Sequence, residues 1–147
     1  MSNSREIATQ ILNNIYTKSD FFETAILQNK NFSRLDSRDK AFVRSIILNT
    51  LRRNGQIMEV VNDFVKKPLK KRDIFILNLI RISICQILFL EIKEYSIVNS
   101  AVQIAKNYKF DKFVNGVLRN ICRNKTKILK KSALETNIPN WIKKDIK

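Results

Sequence analysis

With 147 residues, 44% of them hydrophobic, the chain holds core-forming material for one ordinary domain, and a second, catalytic domain does not fit beside it. Its 28 Lys and Arg stand against 13 Asp and Glu and no His, a formal charge of +15 that repels itself unless an anionic partner meets it. The lack of His excludes His-dependent triads and His metal sites, and two glycines in all exclude a glycine-rich phosphate or cofactor loop.

Few Gly and Pro interrupt the chain and apolar residues recur three and four apart, which predicts an all-α protein. The N-terminus, Met1 to Arg5, lacks a signal-peptide core. A first helix spans Arg5 to Tyr16 with Ile7, Ile11, Leu12 and Ile15 on one stripe, and Asp20 is positioned to cap a short second helix that turns Ala25 and Ile26 inward. Asp36, with Asp39 at the third helical position, opens a long helix carrying Val43, Ile46, Ile47 and Leu51 to about Arg53, where Asn54-Gly55 supplies a left-handed closing residue. Ile57 to Val65 forms the next helix, presenting Val60, Val61 and Phe64.

Lys66 to Arg72 reads as an exposed basic loop, since Pro68 biases Lys67 away from helix, and Asp73 caps the helix beyond it. Ile74 to Phe89 is apolar around most of its circumference and belongs at the centre of the fold, although Arg81 and Gln86 keep this region short of the roughly 20 apolar residues a membrane span requires. Arg81 there calls for a salt bridge with a carboxylate, and Gln86 for a backbone or side-chain partner. Ser96 caps a helix with Val98, Ala101, Val102 and Ala105 inward, and Asp111 caps another with Phe113, Val114, Val117, Leu118 and Ile121 inward. The result is a bundle of about seven helices over residues 1–124, followed at 125–147 by a basic, partly irregular tail containing Ile138-Pro139-Asn140-Trp141-Ile142. Cys85 and Cys122 sit among apolar residues and read as small buried hydrophobes.

Nucleic acid is the commonest partner of such a charge, because each phosphate neutralised releases condensed counterions; an anionic membrane surface is the rival. Three clusters are dense enough to contact phosphate: Arg52 with Arg53; Lys66, Lys67, Lys70, Lys71 and Arg72; and Arg119, Arg123 and Lys125, in which the two arginines lie four apart on one helical face. Arg5 and a stripe of Arg38, Lys40 and Arg44 complete the candidate RNA-binding set, with a solvated cationic face as the plain alternative for many of them. Phe21, Phe22, Phe42, Phe64, Phe75, Phe89, Phe110 and Phe113 read mostly as core, leaving Tyr16, Tyr95, Tyr108 and Trp141 to stack on bases. No residue reads as catalytic or metal-binding: the carboxylates Asp36, Asp39, Glu91 and Glu94 fall at helix ends, where capping and dipole effects explain them.

Ile97-Val98-Asn99-Ser100-Ala101-Val102-Gln103-Ile104-Ala105-Lys106 and Phe113-Val114-Asn115-Gly116-Val117-Leu118-Arg119 are similar to the last two core helices of the NusB-like family, a resemblance covering roughly Ser4 to Arg123, with Ser100 where the family usually has Glu. Within it, Arg38 to Val43, Leu51-Arg52-Arg53, Lys67-Pro68-Leu69, Val117 to Ile121 and the Pro139 to Trp141 segment most resemble the N-terminal domain of the ribosomal RNA cytosine-5 methyltransferases called RsmB or Sun. That resemblance implies a non-catalytic domain that orients ribosomal RNA for an absent catalytic half. S-adenosylmethionine is then expected only with the attached domain, and no cofactor in this chain. The alternative is a stand-alone NusB-type antitermination factor that binds leader RNA with a small ribosomal protein. A third reading is a protein-interaction module whose charge serves solubility or an acidic partner. A cytoplasmic location and no membrane association are expected, and homodimerisation is left open.

Overall fold

One helix without a single exposed residue organises the structure, a computed structural model that describes residues 4–136, with side-chain surroundings for residues 4–131. The chain runs through α1 (Ser4–Lys18), α2 (Phe22–Gln28), α3 (Lys30–Ser33), α4 (Ser37–Arg52), α5 (Asn54–Phe64), a 3-10 turn (Lys71–Asp73), α6 (Ile74–Phe89), α7 (Glu94–Lys106), α8 (Asp111–Arg123) and α9 (Lys125–Thr136). There is no strand among the described residues. α6 buries eleven of its residues, from Ile76 to Leu88, and touches α1, α4, α5, α7, α8 and α9, so the all-round apolar segment is indeed the hub. Among the described residues no helix is long and apolar enough to cross a membrane.

The amphipathic helices turn their apolar stripes onto this hub. Ile7, Ile11 and Leu12 of α1, Val43, Ile46 and Ile47 of α4, and Val114, Leu118 and Ile121 of α8 join the buried cluster around Leu79, Ile80, Ile84 and Ile87. Two elements add to the seven that periodicity predicts. α3 is a single turn capped by Asn29, whose side chain accepts from the Phe32 amide. α9 makes the first part of the basic tail helical, because Ile128 and Leu129 pack against the core. The Pro139–Trp141 segment lies outside the described residues.

Asp36 caps α4 as predicted, its Oδ1 accepting from the Asp39 amide at 2.8 Å. Four other ends are corrected. α2 starts after Phe21 rather than Asp20, α7 after Lys93 with Ser96 already inside the helix, and α8 after Phe110 with Asp111 as its first residue. Asp73 does precede α6, but its side chain caps nothing. Asn54-Gly55 does not close α4 through a left-handed residue. Only Arg53 separates α4 from α5, and the residues with positive φ are Ser19 (56°) and Lys109 (62°), where the chain turns sharply after α1 and before α8.

The interior polar groups of α6 are satisfied without a carboxylate, contrary to the salt bridge expected at Arg81. The Arg81 guanidinium lies 4.4 Å from the centroid of the Tyr16 ring, donates from Nη1 to Asn78 Oδ1 at 2.9 Å and contacts Met58 Sδ at 3.2 Å. Asn78 in turn donates to Asn13 Oδ1 at 2.9 Å, and Gln86 bonds the Ile82 carbonyl at 3.0 Å while accepting from Arg5 Nε at 2.7 Å. Burial lowers the pKa of Arg81 from its ordinary value, and Tyr16 beside it partly offsets that. An aromatic face and an amide take the place of the acid.

Two substitutions test this packing in opposite directions. Leu79→Ala, at a fully buried site, is expected to lower unfolding free energy by about 3 kcal/mol. Gly116→Ala should raise it by up to about 1 kcal/mol, because nothing lies within 4 Å of an added Cβ and the residue is mid-helix. Urea unfolding measures both, and a neutral Leu79→Ala would remove α6 from the core.

Candidate nucleic-acid interface

The predicted basic residues fall into two physical groups. Those of the first group are folded onto aromatic rings. Arg5 lies 5.4 Å from the Phe42 ring and bonds Gln86, Arg53 stacks 4.2 Å from the Phe89 ring and reaches Gln56 Oε1 at 3.4 Å, and Arg44 sits 5.7 Å from both Phe22 and Phe32. Arg44 also pairs with Glu23 at 2.7 Å, and Lys40 lies over Phe32, so the expected stripe along α4 pins α2 and α3 down, leaving Arg38 exposed. Arg52 and Arg53 do not act as a pair, because Arg52 is exposed while Arg53 turns inward.

The second group faces solvent. Lys66, Lys67, Lys70, Lys71 and Arg72 are all exposed between α5 and α6, with Leu69 packing inward and Arg72 only loosely near Asp73 at 3.9 Å. The last two of these belong to the 3-10 turn rather than to an open loop. Arg119 and Arg123 are exposed on α8, and neither has an ion-pair partner among the described residues. Lys125, half-buried, holds Glu94 at 3.7 Å. The loop precedes α6, whereas Arg53 lies on the last residue of that helix. The rise of α6 separates them by about 24 Å, so the clusters do not form one continuous patch.

Arg119 and Arg123 border a groove of about 410 Å³ between α7 and α8, within the size range of small-molecule sites. From α7 come Tyr95, Val98, Asn99 and Val102, spaced i, i+3, i+4 and i+7; from α8 come Asn115, Arg119, Cys122 and Arg123, spaced i, i+4, i+7 and i+8. Each set is one helical stripe, and the antiparallel hairpin of the two helices sets them face to face. Val98 and Val102, expected inward, are half-buried in this groove, while Ile97 and Ile104 take the core positions instead. Asn99 and Asn115 carry no charge and stand outside the basic clusters; their signal in the sequence is that both are retained in the two segments that resemble the last core helices of the NusB-like family.

The cysteines differ. Cys85 is buried and its thiol is pushed up by burial, partly countered by Thr50 and Arg53. Cys122 is only half-buried, in the groove, where desolvation and then the Glu94 carboxylate raise its thiol to about 11. Of the proposed stackers, Tyr16 lies under Arg81 with its hydroxyl on Asn54 Oδ1 at 3.1 Å, and Tyr108 stacks on Phe75 at 4.8 Å. Tyr95 stays open at 79% exposure, and Trp141 lies outside the described residues. Phe21, read as core, is 84% exposed.

Among known proteins, a profile described as the NusB family matches residues 2–123. The chain is 25% identical over 127 residues to a transcription antitermination protein NusB of Finegoldia magna, covering 83% of this chain and 93% of that protein. It is 29% identical over 134 residues to the protein of the same name from Buchnera aphidicola, covering 85% and 92%. A ribosomal RNA small subunit methyltransferase B of Shewanella oneidensis is 27% identical over 149 residues, covering 99% of this chain but 35% of that enzyme.

The raised Cys122 thiol gives a pH test. A thiol whose folded pKa lies above its unfolded value of 9.0 favours the folded state below pH 9, and that contribution disappears as pH rises towards about 11. Alkylation of Cys122 in the folded protein is therefore expected to stay slow at pH 8 and to accelerate only towards pH 11, followed by mass spectrometry; Glu94→Gln should move this onset down. Rapid labelling at pH 8 would contradict the arrangement of Glu94 and Cys122.

Proposed function

The chain belongs to the NusB family, and from that premise we propose that it is a non-catalytic RNA-binding protein of the antitermination type, acting on a leader RNA together with a small ribosomal protein. The observation that supports this reading most is its span. The chain covers over nine-tenths of the Finegoldia magna and Buchnera aphidicola antitermination proteins, but about a third of the Shewanella oneidensis methyltransferase, so the expectation of a methyltransferase fragment gains no support from these length comparisons. A cytoplasmic location accords with this role, and S-adenosylmethionine has no part in it. The second reading, an RNA-orienting domain of a ribosomal RNA methyltransferase, keeps one observation in its favour: the methyltransferase alignment reaches 99% of the chain. Co-purification with a small ribosomal protein favours the first reading; a methyltransferase half continuing in the same reading frame favours the second.

The two groups of basic residues have separable roles in this proposal. Arg119 and Arg123, along with the lysines between α5 and α6, are free to meet phosphates, while Arg53 and Arg5 hold helices together. Replacing Arg119 and Arg123 by Ala is expected to weaken RNA binding and to flatten its dependence on log salt by roughly one unit for each phosphate no longer neutralised. Arg53→Ala should instead lower stability and leave the slope unchanged. Titration of RNA affinity against salt, paired with thermal melts, reads both. An unchanged slope in the double variant removes α8 from the interface, and absence of RNA binding by the unaltered protein in dilute buffer overturns the reading altogether.

A further inference from the structure

We propose that the groove between α7 and α8 seats one unpaired base of a single-stranded RNA, with Tyr95 as its stacking platform, the Asn99 and Asn115 amides at its edge and Arg119 and Arg123 on the flanking phosphates. This rests on the RNA-binding reading and adds to it the place where a base is held. Charge alone would make α8 a phosphate contact indifferent to strandedness. The groove holds more than charge.

Its floor is apolar, formed by Val98 and Val102, and its volume of about 410 Å³ is a concavity rather than the open helix surface that phosphates need. Tyr95 stands on the rim, exposed and engaged with no other ring among the described residues, unlike Tyr16 and Tyr108. Neither Asn99 nor Asn115 makes a side-chain hydrogen bond to another described residue, although Asn13, Asn49, Asn78 and Asn124 all do. A carboxamide presents one donor side and one acceptor side, which is what pairing with a base edge requires. Glu94, the one carboxylate lining the groove, is offset by Lys125 at 3.7 Å, so it does not cancel the two arginines. An apolar floor, an open aromatic ring, two uncommitted amides and two uncommitted guanidinium groups in one concavity suit an unstacked nucleotide better than a duplex backbone.

The test uses the full chain with a short single-stranded oligoribonucleotide and the duplex of the same sequence, read by fluorescence anisotropy at several salt concentrations. Tyr95→Ala is expected to weaken single-strand binding about five- to fifty-fold without changing the salt slope, and Tyr95→Phe to retain it. Asn99→Ala with Asn115→Ala should reduce discrimination among homopolymers, again at constant slope. Duplex binding should be weaker than single-strand binding and indifferent to Tyr95. Circular dichroism checks that each variant is folded. If Tyr95→Ala binds as the unaltered protein does while Arg119→Ala with Arg123→Ala lowers the slope, the groove proposal fails and RNA binding stands. If the unaltered protein binds neither strand form, both fail. If an acidic peptide binds in a Tyr95-dependent manner and RNA does not, the groove serves a protein instead.

Discussion

A helix enclosed on every side must satisfy each polar group that it carries inward, and α6 meets that demand without a buried acid. Arg81, Asn78 and Gln86 each reach across to α1, either directly or through one another, so the hydrogen bonds that relieve burial also fix how α1 lies on the hub. A buried carboxylate would have added a second desolvation cost to the first. A ring face and amides offer the guanidinium partial charges that are cheaper to bury. The orientation of α1, and through it of α4, depends on these few contacts.

The same chemistry divides the positive charge of the molecule. Among the arginines that packing draws inward, Arg5, Arg53 and Arg81 lie on aromatic rings, those of Phe42, Phe89 and Tyr16, with no ion pair to Arg53 or Arg81 among the described residues, while Arg44 shares the rings of Phe22 and Phe32 with the Glu23 carboxylate. These charges are structural. What remains for a polyanion is the exposed set, chiefly the lysines before α6 and the arginines of α8.

Much of the architecture was legible because it depends on local pattern. The apolar periodicity of Ile74 to Phe89 and the Asp36–Asp39 cap are decided within a few residues, and the structure agrees with both. The errors share a cause. Asp20, Ser96 and Asp111 have the chemistry of a cap, but the apolar faces they precede begin a residue or two away from where cap preference alone would place them. Asn54-Gly55 looks like a terminator, yet both residues lie in the first turn of α5, whose Ile57, Val60 and Val61 are buried in the core. The basic clusters were visible as composition; their division was not, since a ring 36 residues away in sequence decides whether Arg53 is an interface or a brace. The groove stripe was hidden for a similar reason: Val98 and Val102 are indistinguishable from core valines until the neighbouring helix is in place.

The single-residue join between α4 and α5 has a dynamic consequence. Backbone bonds run through it, from the Arg53 amide to the Asn49 carbonyl and from the Ile57 amide to the Arg53 carbonyl, and the same residue's side chain is fastened to the end of α6. The bend is therefore an elbow without slack. Amide protons on its two sides should exchange with solvent together rather than helix by helix, making Asn49 to Val61 one cooperative opening unit.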